Sequence, residues 1–497
     1  MIGCCVFNTL KVCALLAAGL FVGAAAGMLA GCTSHTGLIS KEDPPLQTEA
    51  VMKHWEHLSA EASPAASPEA PHQGVLSPEA AIEEALRASP ELEQLRQRIN
   101  AASEQVRQAE ASFYPRLIVS EEYSVTTNPV FALMDIVNQR RFNTAINFND
   151  PGRQQNIASK IQGEWVLFQG GSSWHDRRAA QGRQRSVEAE LQAARNQMVA
   201  KVTETYYQWL RALSFIGVAE RAFESAGTDE RLGEARLQQE MALPSELMRL
   251  KAHGAEAHGN LVTARTHVRR LQAGLERLLA RPIRSEEIPD PALYALTASQ
   301  ENIPAKPDAL VKQALEKRPE MSAARSLIQA ARERVRSTQG GLLPRIGANA
   351  TYEWDSEDFS KNPDSWMVGI QASWPLFEGG VTLAGIREAK ARLKEMEARG
   401  EQVALDIAME VHQAVLAVQD AVEKIQVADE RRKYAQSALE EVRRLYQGQV
   451  VTVDSLLQAE VAWNQAEVSY TAALFEQRIA QALLRQSLGD FANWIVR

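Results

Sequence analysis

The chain has 497 residues, 45% of them hydrophobic and 6% aromatic, which suits a large buried core and is far from a disordered composition. Charged residues make up 23%, with both signs scattered along the chain to a net charge of −8, so no basic stripe marks a nucleic-acid partner. The four cysteines, Cys4, Cys5, Cys13 and Cys32, all lie at the N-terminal end, leaving neither a disulfide framework nor a zinc cluster for the rest.

Residues 12–28, VCALLAAGLFVGAAAGM, form an apolar run after Lys11, the layout of a secretory signal peptide. The run closes on Leu29-Ala30-Gly31-Cys32, which resembles the bacterial lipobox. That resemblance implies a signal over 1–31, removed before Cys32, and acyl chains on Cys32 as the one covalent group; no other cofactor is expected. Each buried CH₂ contributes about 0.8 kcal/mol, and more than one chain makes such an anchor stable. Thr33 and Ser34 follow, with no aspartate, which by analogy with lipoprotein sorting argues against retention in the inner membrane. The alternative is a plain signal or membrane helix with an incidental cysteine. Residues 32–76, rich in Pro, Ala, Ser and Glu, read as a tether.

From residue 77 the chain is written twice. Pro78, Leu86, Pro90, Glu91, Val106, Pro115, Arg116 and Tyr123 recur 229 positions later as Pro307, Leu315, Pro319, Glu320, Val335, Pro344, Arg345 and Tyr352. WVLFQGG at 165–171 recurs as WPLFEGG at 374–380, an offset of 209, and Arg236, Leu237 and Gln239 recur as Arg444, Leu445 and Gln447, an offset of 208. A constant offset over so many positions marks an internal repeat. The expected units are 77–281 and 307–490, joined by a linker over 282–306 and followed by a C-terminal end at 491–497.

Each unit reads helix, two strands, very long helix, helix. Strands are expected at about 116–127, 155–168, 345–355 and 365–377. In the second unit Ile346, Ala348, Ala350, Tyr352 and Trp354 alternate with polar or small residues, as do Trp366, Val368, Ile370, Ala372 and Trp374. In the first, Leu117, Val119, Tyr123 and Val125, then Ile157, Ile161, Trp165 and Leu167, repeat the pattern, although Glu121 interrupts it. About ten residues of alternation with aromatics near both ends is the signature of a membrane β-strand. A half-buried soluble hairpin is the plainer alternative. The 20-residue excess of the first unit falls in 128–154, at a hairpin tip where insertions are tolerated.

An almost proline-free run follows each Gly-Gly, to about residue 240 and to about 448. Each spans roughly 100 Å as one helix at 1.5 Å per residue. The stretches 78–114, 245–281, 307–343 and 453–489 would each span about 55 Å, so that two stacked match one long helix. Val411, Val415, Val418, Val422 and Ile425 follow the 4-3 rhythm of coiled packing. The helices alone suit a soluble bundle equally well. Four strands cannot close a barrel, and an open edge in lipid strands backbone groups, so membrane strands would require more than one copy. Two copies give eight strands and three give twelve; a conduit wants the larger number.

This order of elements, with WPLFEGG and its twin at the strand-to-helix junctions, resembles the outer membrane efflux protein family, the TolC-like channels. The resemblance covers about 78 to 490, and the lipobox points to its lipoprotein members, which serve RND-type pumps. The helical turn RRLYQGQVVTVDSLLQAE at 443–460 and Leu488-Gly489 also match. It implies a mainly helical fold with a β-barrel contribution: a homotrimer with a twelve-stranded barrel among outer membrane lipids and a long helical periplasmic tunnel. It further implies docking to a periplasmic adaptor and an inner-membrane pump. The expected function is the exit duct of a tripartite efflux system. The rivals are a type I secretion duct and a lipid-tethered periplasmic scaffold or adaptor, the latter lacking any use for membrane strands.

In that picture Gly170, Gly171, Gly379 and Gly380 are pivots from strand to helix, free of steric cost in unusual backbone conformations. Tyr123, Trp165, Tyr352, Trp354, Trp366 and Trp374 are interface aromatics, with Trp165 and Trp374 on the periplasmic side. Asp454 matches the family's tip aspartate at the entrance, near Gly448, and Glu246 is its expected counterpart; a ring of carboxylates would favour cations. Both acids also suit the first turn of a helix. Glu240 takes the place of Gly448 in the first unit and Pro244 follows, so the two tips should not open identically. His253, His258 and His267 lack the i, i+4 spacing of a metal pair. No nucleophile–base–acid set or phosphate-binding glycine loop is present, and no enzyme is expected.

Overall fold

The computed structural model describes residues 74–295, 307–358 and 363–489. Cys32, almost all of the tether, part of the 282–306 linker and 490–497 lie outside the described residues. The fold is mainly helical with four antiparallel strands, the class expected.

The first repeat runs α1 (Pro78–Ala88), α2 (Pro90–Ala111), β1 (Arg116–Thr126), α3 (Pro129–Asn138), β2 (Gln154–Gln169), α4 (Ser172–Gln238) and α5 (Pro244–Leu279). A 3₁₀ turn at Ser285–Glu287 and the short α6 (Pro291–Ala295) follow. The second repeat runs α7 (Pro307–Lys317), α8 (Pro319–Gly340), β3 (Arg345–Ser356), β4 (Asp364–Ser373), α9 (Val381–Gln447) and α10 (Val453–Ser487).

Three features differ from the sequence expectation. The stretches 78–114 and 307–343 are not single helices but break before Pro90 and Pro319. Proline disfavours helical geometry in the residue before it, and Ser89 and Arg318 are extended; Ser89 then caps α2 by accepting from the amide of Leu92. The strand expected to reach 377 ends at Ser373, one residue before Trp374-Pro375, where the ladder would lose a donor. The long connection at 128–154 holds a helix, α3, opened by Pro129 behind the Asn128 cap.

The two long helices have 67 residues each. α4 packs against α1, α2, α5 and α8, and α9 against α7, α8 and α10. The main core lies midway along α4, where Tyr206, Trp209 and Leu210 pack against Ile82, Leu275, Leu279 and Phe475. The Tyr206 hydroxyl donates to the carbonyl of Leu76 at 2.6 Å, so the start of the fold is stitched to its centre. Val411, Val415 and Val418 are buried on α9, the seam that their spacing predicts.

The strands form one sheet in the order β1-β2-β3-β4, antiparallel throughout, with β2–β3 joining the repeats. β1 and β4 are open edges.

Candidate functional site

The register sorts most of the strand residues onto an apolar and a polar face. Leu117, Val119, Tyr123 and Val125 share one face with Ile157, Ile161 and Trp165, and with Ile346, Ala348, Ala350, Tyr352, Trp354, Trp366, Val368 and Ile370. The opposite face carries Ser120, Glu122, Asn156, Lys160, Gln162, Asn349, Thr351, Glu353, Asp355 and Gln371. There Lys160 pairs with Glu353 at 3.0 Å across β2–β3, and Asn156 donates to Asp355 at 2.6 Å. The apolar face is largely exposed in the single chain: Val119 and Ile370 are 74% and 75% accessible. The sheet is thus largely apolar on one face, largely polar on the other and open at both edges. Glu121 is a charge on the apolar face, where Gln155, Ser159 and Asp364 also lie, and Ile118 and Met367 fall on the polar one.

The aromatics bracket that face. Tyr123, Tyr352, Trp354 and Trp366 lie toward the hairpin tips, with the Tyr352 hydroxyl donating to Asp364 at 2.7 Å. Trp165 and Trp374 lie toward the helices. The Trp165 indole donates to the carbonyl of Phe113 at 2.9 Å, and that of Trp374 to the carbonyl of Leu342 at 3.0 Å. Donors and acceptors are repeat equivalents, so the duplication preserves the hydrogen bond as well as the words. Each tryptophan pins its strand end to the helix leading into the preceding strand.

All four junction glycines have left-handed backbones, with φ of 63°, 77°, 62° and 85° at Gly170, Gly171, Gly379 and Gly380. Gly170 also sits against Gly340 at the end of α8: a Cβ there would stand 2.0 Å from the Gly340 carbonyl oxygen. Around Gly379 there is nothing within 4 Å.

At the other end of the long helices the chain turns between α4 and α5 and between α9 and α10. Glu240 and Gln449 take the left-handed position in these turns. The repeat offset there is 209, not 208, because the helices are equal in length; Gly448 therefore corresponds to Gln239 and Asp454 to Ser245, not Glu246. Glu246 accepts from the amide of Leu243 at 3.3 Å, capping α5. Asp454, in the first turn of α10, is ion-paired with Arg249 of α5. The pair borders a groove of ≈ 680 Å³ between α5 and α10, lined also by His253, Glu256, Gln458 and Gln465. Arg236 reaches from α4 to the carbonyls of Tyr446 and Gln447 at 3.1 Å each, with its guanidinium 4.5 Å from the Tyr446 ring centre. A cation at the end of α9 also complements the helix dipole.

One turn further in lies a cluster that sequence reasoning missed. Asp229 of α4, His253 of α5, Arg443 of α9 and Glu460 of α10 converge, with Ser225 between them. Glu460 accepts from Arg443 at 2.6 Å and from Ser225 at 3.1 Å, and its other oxygen is 3.3 Å from His253. Arg443 is 3.7 Å from Asp229. All four helices of the two hairpins are joined here by charge. Burial, then the neighbouring Glu460, push the Asp229 carboxyl up to about 7. Hydrogen bonds from His253, Asp229 and Arg443 outweigh burial and hold Glu460 below the usual range. The bond to Glu460 raises His253.

The sign follows. Asp229 and His253 bind their protons more tightly folded than unfolded, so their contribution is present at low pH and is lost as pH rises through the folded values. Glu460 contributes above the usual carboxylate range and loses its contribution only as pH falls well below it. The cluster should therefore weaken as pH rises from about 4, where Asp229 of the unfolded chain has given up its proton, to about 7, where the folded chain gives up its own. Hydrogen exchange of the α5 and α10 amides, corrected for intrinsic rate, should quicken over that range. Asp229→Asn, which mimics the protonated acid, should flatten much of the change. An unchanged profile in that variant would remove Asp229 from the account.

Among the described residues no helix is long and apolar enough to cross a membrane. The family model for outer membrane efflux proteins matches residues 81–281 and 310–490, the two repeats. The chain belongs to the outer membrane efflux protein family. Among curated relatives, it is 21% identical to the outer membrane protein TolC of Vibrio cholerae over 70% of this chain and 80% of that one. It is also 26% identical to the alkaline protease secretion protein AprF of Pseudomonas aeruginosa, over 40% of this chain and only 42% of AprF. A solved membrane protein from Pseudomonas aeruginosa superposes with a TM-score of 0.72 at 19% identity, covering 86% of this chain and 99% of that one.

Proposed function

We propose that this outer membrane efflux protein is the passive exit duct of a tripartite efflux system, anchored by acyl chains on Cys32. Three copies close a twelve-stranded barrel among outer membrane lipids, and the helices continue it as a periplasmic tunnel. A periplasmic adaptor and an inner-membrane pump, of the RND type, bind the helical end and supply the energy. The observation that carries this reading is the sheet, apolar on one face, polar on the other and unpaired at both edges. The helices give parallel support. Within the chain α8 packs on α4 across the repeats, and the equivalent contact, α9 with α2, is free for another copy. A single rotation that repeated both internal contacts between copies would close such a ring.

The test is ion conductance across a planar bilayer with the detergent-purified, lipidated protein. Discrete cation-preferring steps are expected. Asp454→Ala removes a carboxylate and releases Arg249 and should lower the cation preference. Protein that never inserts would reject membrane strands in favour of a tethered periplasmic scaffold. The partial match to a protease secretion protein favours a second reading, a type I secretion duct; co-purification with an adaptor of one system or the other separates the two.

A further inference from the structure

The connection between β1 and β2 does not extend away from the sheet but folds back over its polar face. α3 packs on β2 and buries Ala132 and Ile136, and the two β2 residues buried nearby, Asn156 and Ala158, lie on the polar side, as does the buried Asp355 of β3; Ser356, buried at the end of β3, lies on the other. Gln139, at the end of α3, donates to Asn156 at 2.9 Å and to the carbonyl of Gln155 at 2.8 Å. Arg140 then donates to the carbonyl of Asp364 at 2.9 Å, and Arg141 pairs with Glu357 at 2.8 Å. The segment is thus tied to β2, to the end of β3 and to the start of β4, spanning most of the sheet. Its other side carries Val130, Phe131, Met134 and Val137, all exposed, turned away from the sheet.

We infer that α3 stands inside the duct and forms an outer-mouth constriction that sets its size limit from the cell-surface side. This rests on the duct reading, since the polar face becomes the lumen only if copies close around it. Twelve strands spaced about 4.8 Å apart and tilted about 40° close to a ring roughly 24 Å across. Three helices, each about 10 Å thick, would occupy about half of that cross-section. The apolar sides of α3 from the three copies would then face one another across the axis, in a lumen that is otherwise polar. Among the described residues the second repeat has no such helix, so the constriction is assigned to the 20-residue excess of the first.

The test compares single-channel conductance, and the size of polyethylene glycol excluded from each side, in the full chain and in two variants. In the first, 129–150 is replaced by a short Gly-Ser connection. In the second, Gln139, Arg140 and Arg141 are changed together to alanine, which frees α3 while keeping its residues. Deletion should raise conductance about two-fold and admit larger polymers from the hairpin side alone. The alanine variant should show unsteady, intermediate conductance. Where the deletion fails to insert, the alanine variant decides. Conductance equal to that of the full chain in whichever variant inserts would overturn the constriction and leave the duct intact. A closed full chain beside a conducting deletion would support it as a plug. Inserted protein silent in all three forms would reject the duct, and the constriction with it.

Discussion

Gly170→Ala should be among the most damaging single changes in the chain, with a loss of about 3 kcal/mol or more. Two costs combine. The backbone at Gly170 is left-handed, with φ of 63°, which costs a non-glycine residue about 1–2 kcal/mol. The added Cβ would also stand 2.0 Å from the carbonyl oxygen of Gly340 and 2.7 Å from its carbon. These are main-chain atoms in α8, so no side chain can swing aside. The reciprocal change, Gly340→Ala, brings a Cβ within 2.7 Å of the Gly170 oxygen and should also be harmful. Gly379→Ala is the control: it shares the left-handed backbone but meets nothing within the chain, so about 1 kcal/mol is expected. Thermal midpoints and folding yields of the purified proteins would measure this. A Gly170→Ala protein as stable as Gly379→Ala would mean that the two junctions are equivalent and the close approach is absent.

The second large effect is a cross-link. Within the chain Gly163 of β2 faces Ala350 of β3. The repeat offsets carry this pair to Ala372 of β4 and Glu121 of β1, which lie on opposite edges of the sheet. If copies close by repeating the internal contact, Ala372 of one copy faces Glu121 of the next. Cysteines at both positions should oxidise to a covalent ladder ending at three chains, whereas either single variant should give none. Directly opposed residues have Cβ atoms about 4.5–5.5 Å apart and diagonal ones about 7–8 Å, and a disulfide requires close approach. Ala372→Cys with Tyr123→Cys should therefore link far less. Preferential linking of that diagonal pair would place the seam in a different register. No linking in assembled protein would mean the edges do not meet. Glu121, the charge that interrupts the apolar face, lies on this seam, where the neighbouring strand could shelter it from lipid.

The duplication, the strands and the sorting of their faces were legible in the sequence because strand periodicity is short and each register confirmed the other. The tips were not. Arg236-Leu237 matches Arg444-Leu445 as letters, but equal helix lengths place the turns one residue apart from that match and assign Ser245, not Glu246, to Asp454. The breaks at Pro90 and Pro319 were visible as prolines, yet helical periodicity continues on both sides and hides them. α3 is ten residues inside a long connection, and its burial depends on a sheet face that local pattern does not reveal. The Asp229–His253–Arg443–Glu460 cluster joins four helices, and no local spacing brings those residues together.

The equal lengths of α4 and α9 also bear on how such a gene can change. Both helices start at a glycine pair beside the sheet and must deliver their turns to the same level, where Arg236 and Arg249 reach across to the second hairpin and Arg443 reaches back to the first. Losing one codon from α4 alone would lift its turn by about 1.5 Å and rotate it by about 100°. That would mis-set each of those contacts at once. Insertions and deletions in the long helices are therefore viable only as matched pairs, one in each repeat, while the β1–β2 connection has been free to grow by 20 residues on its own.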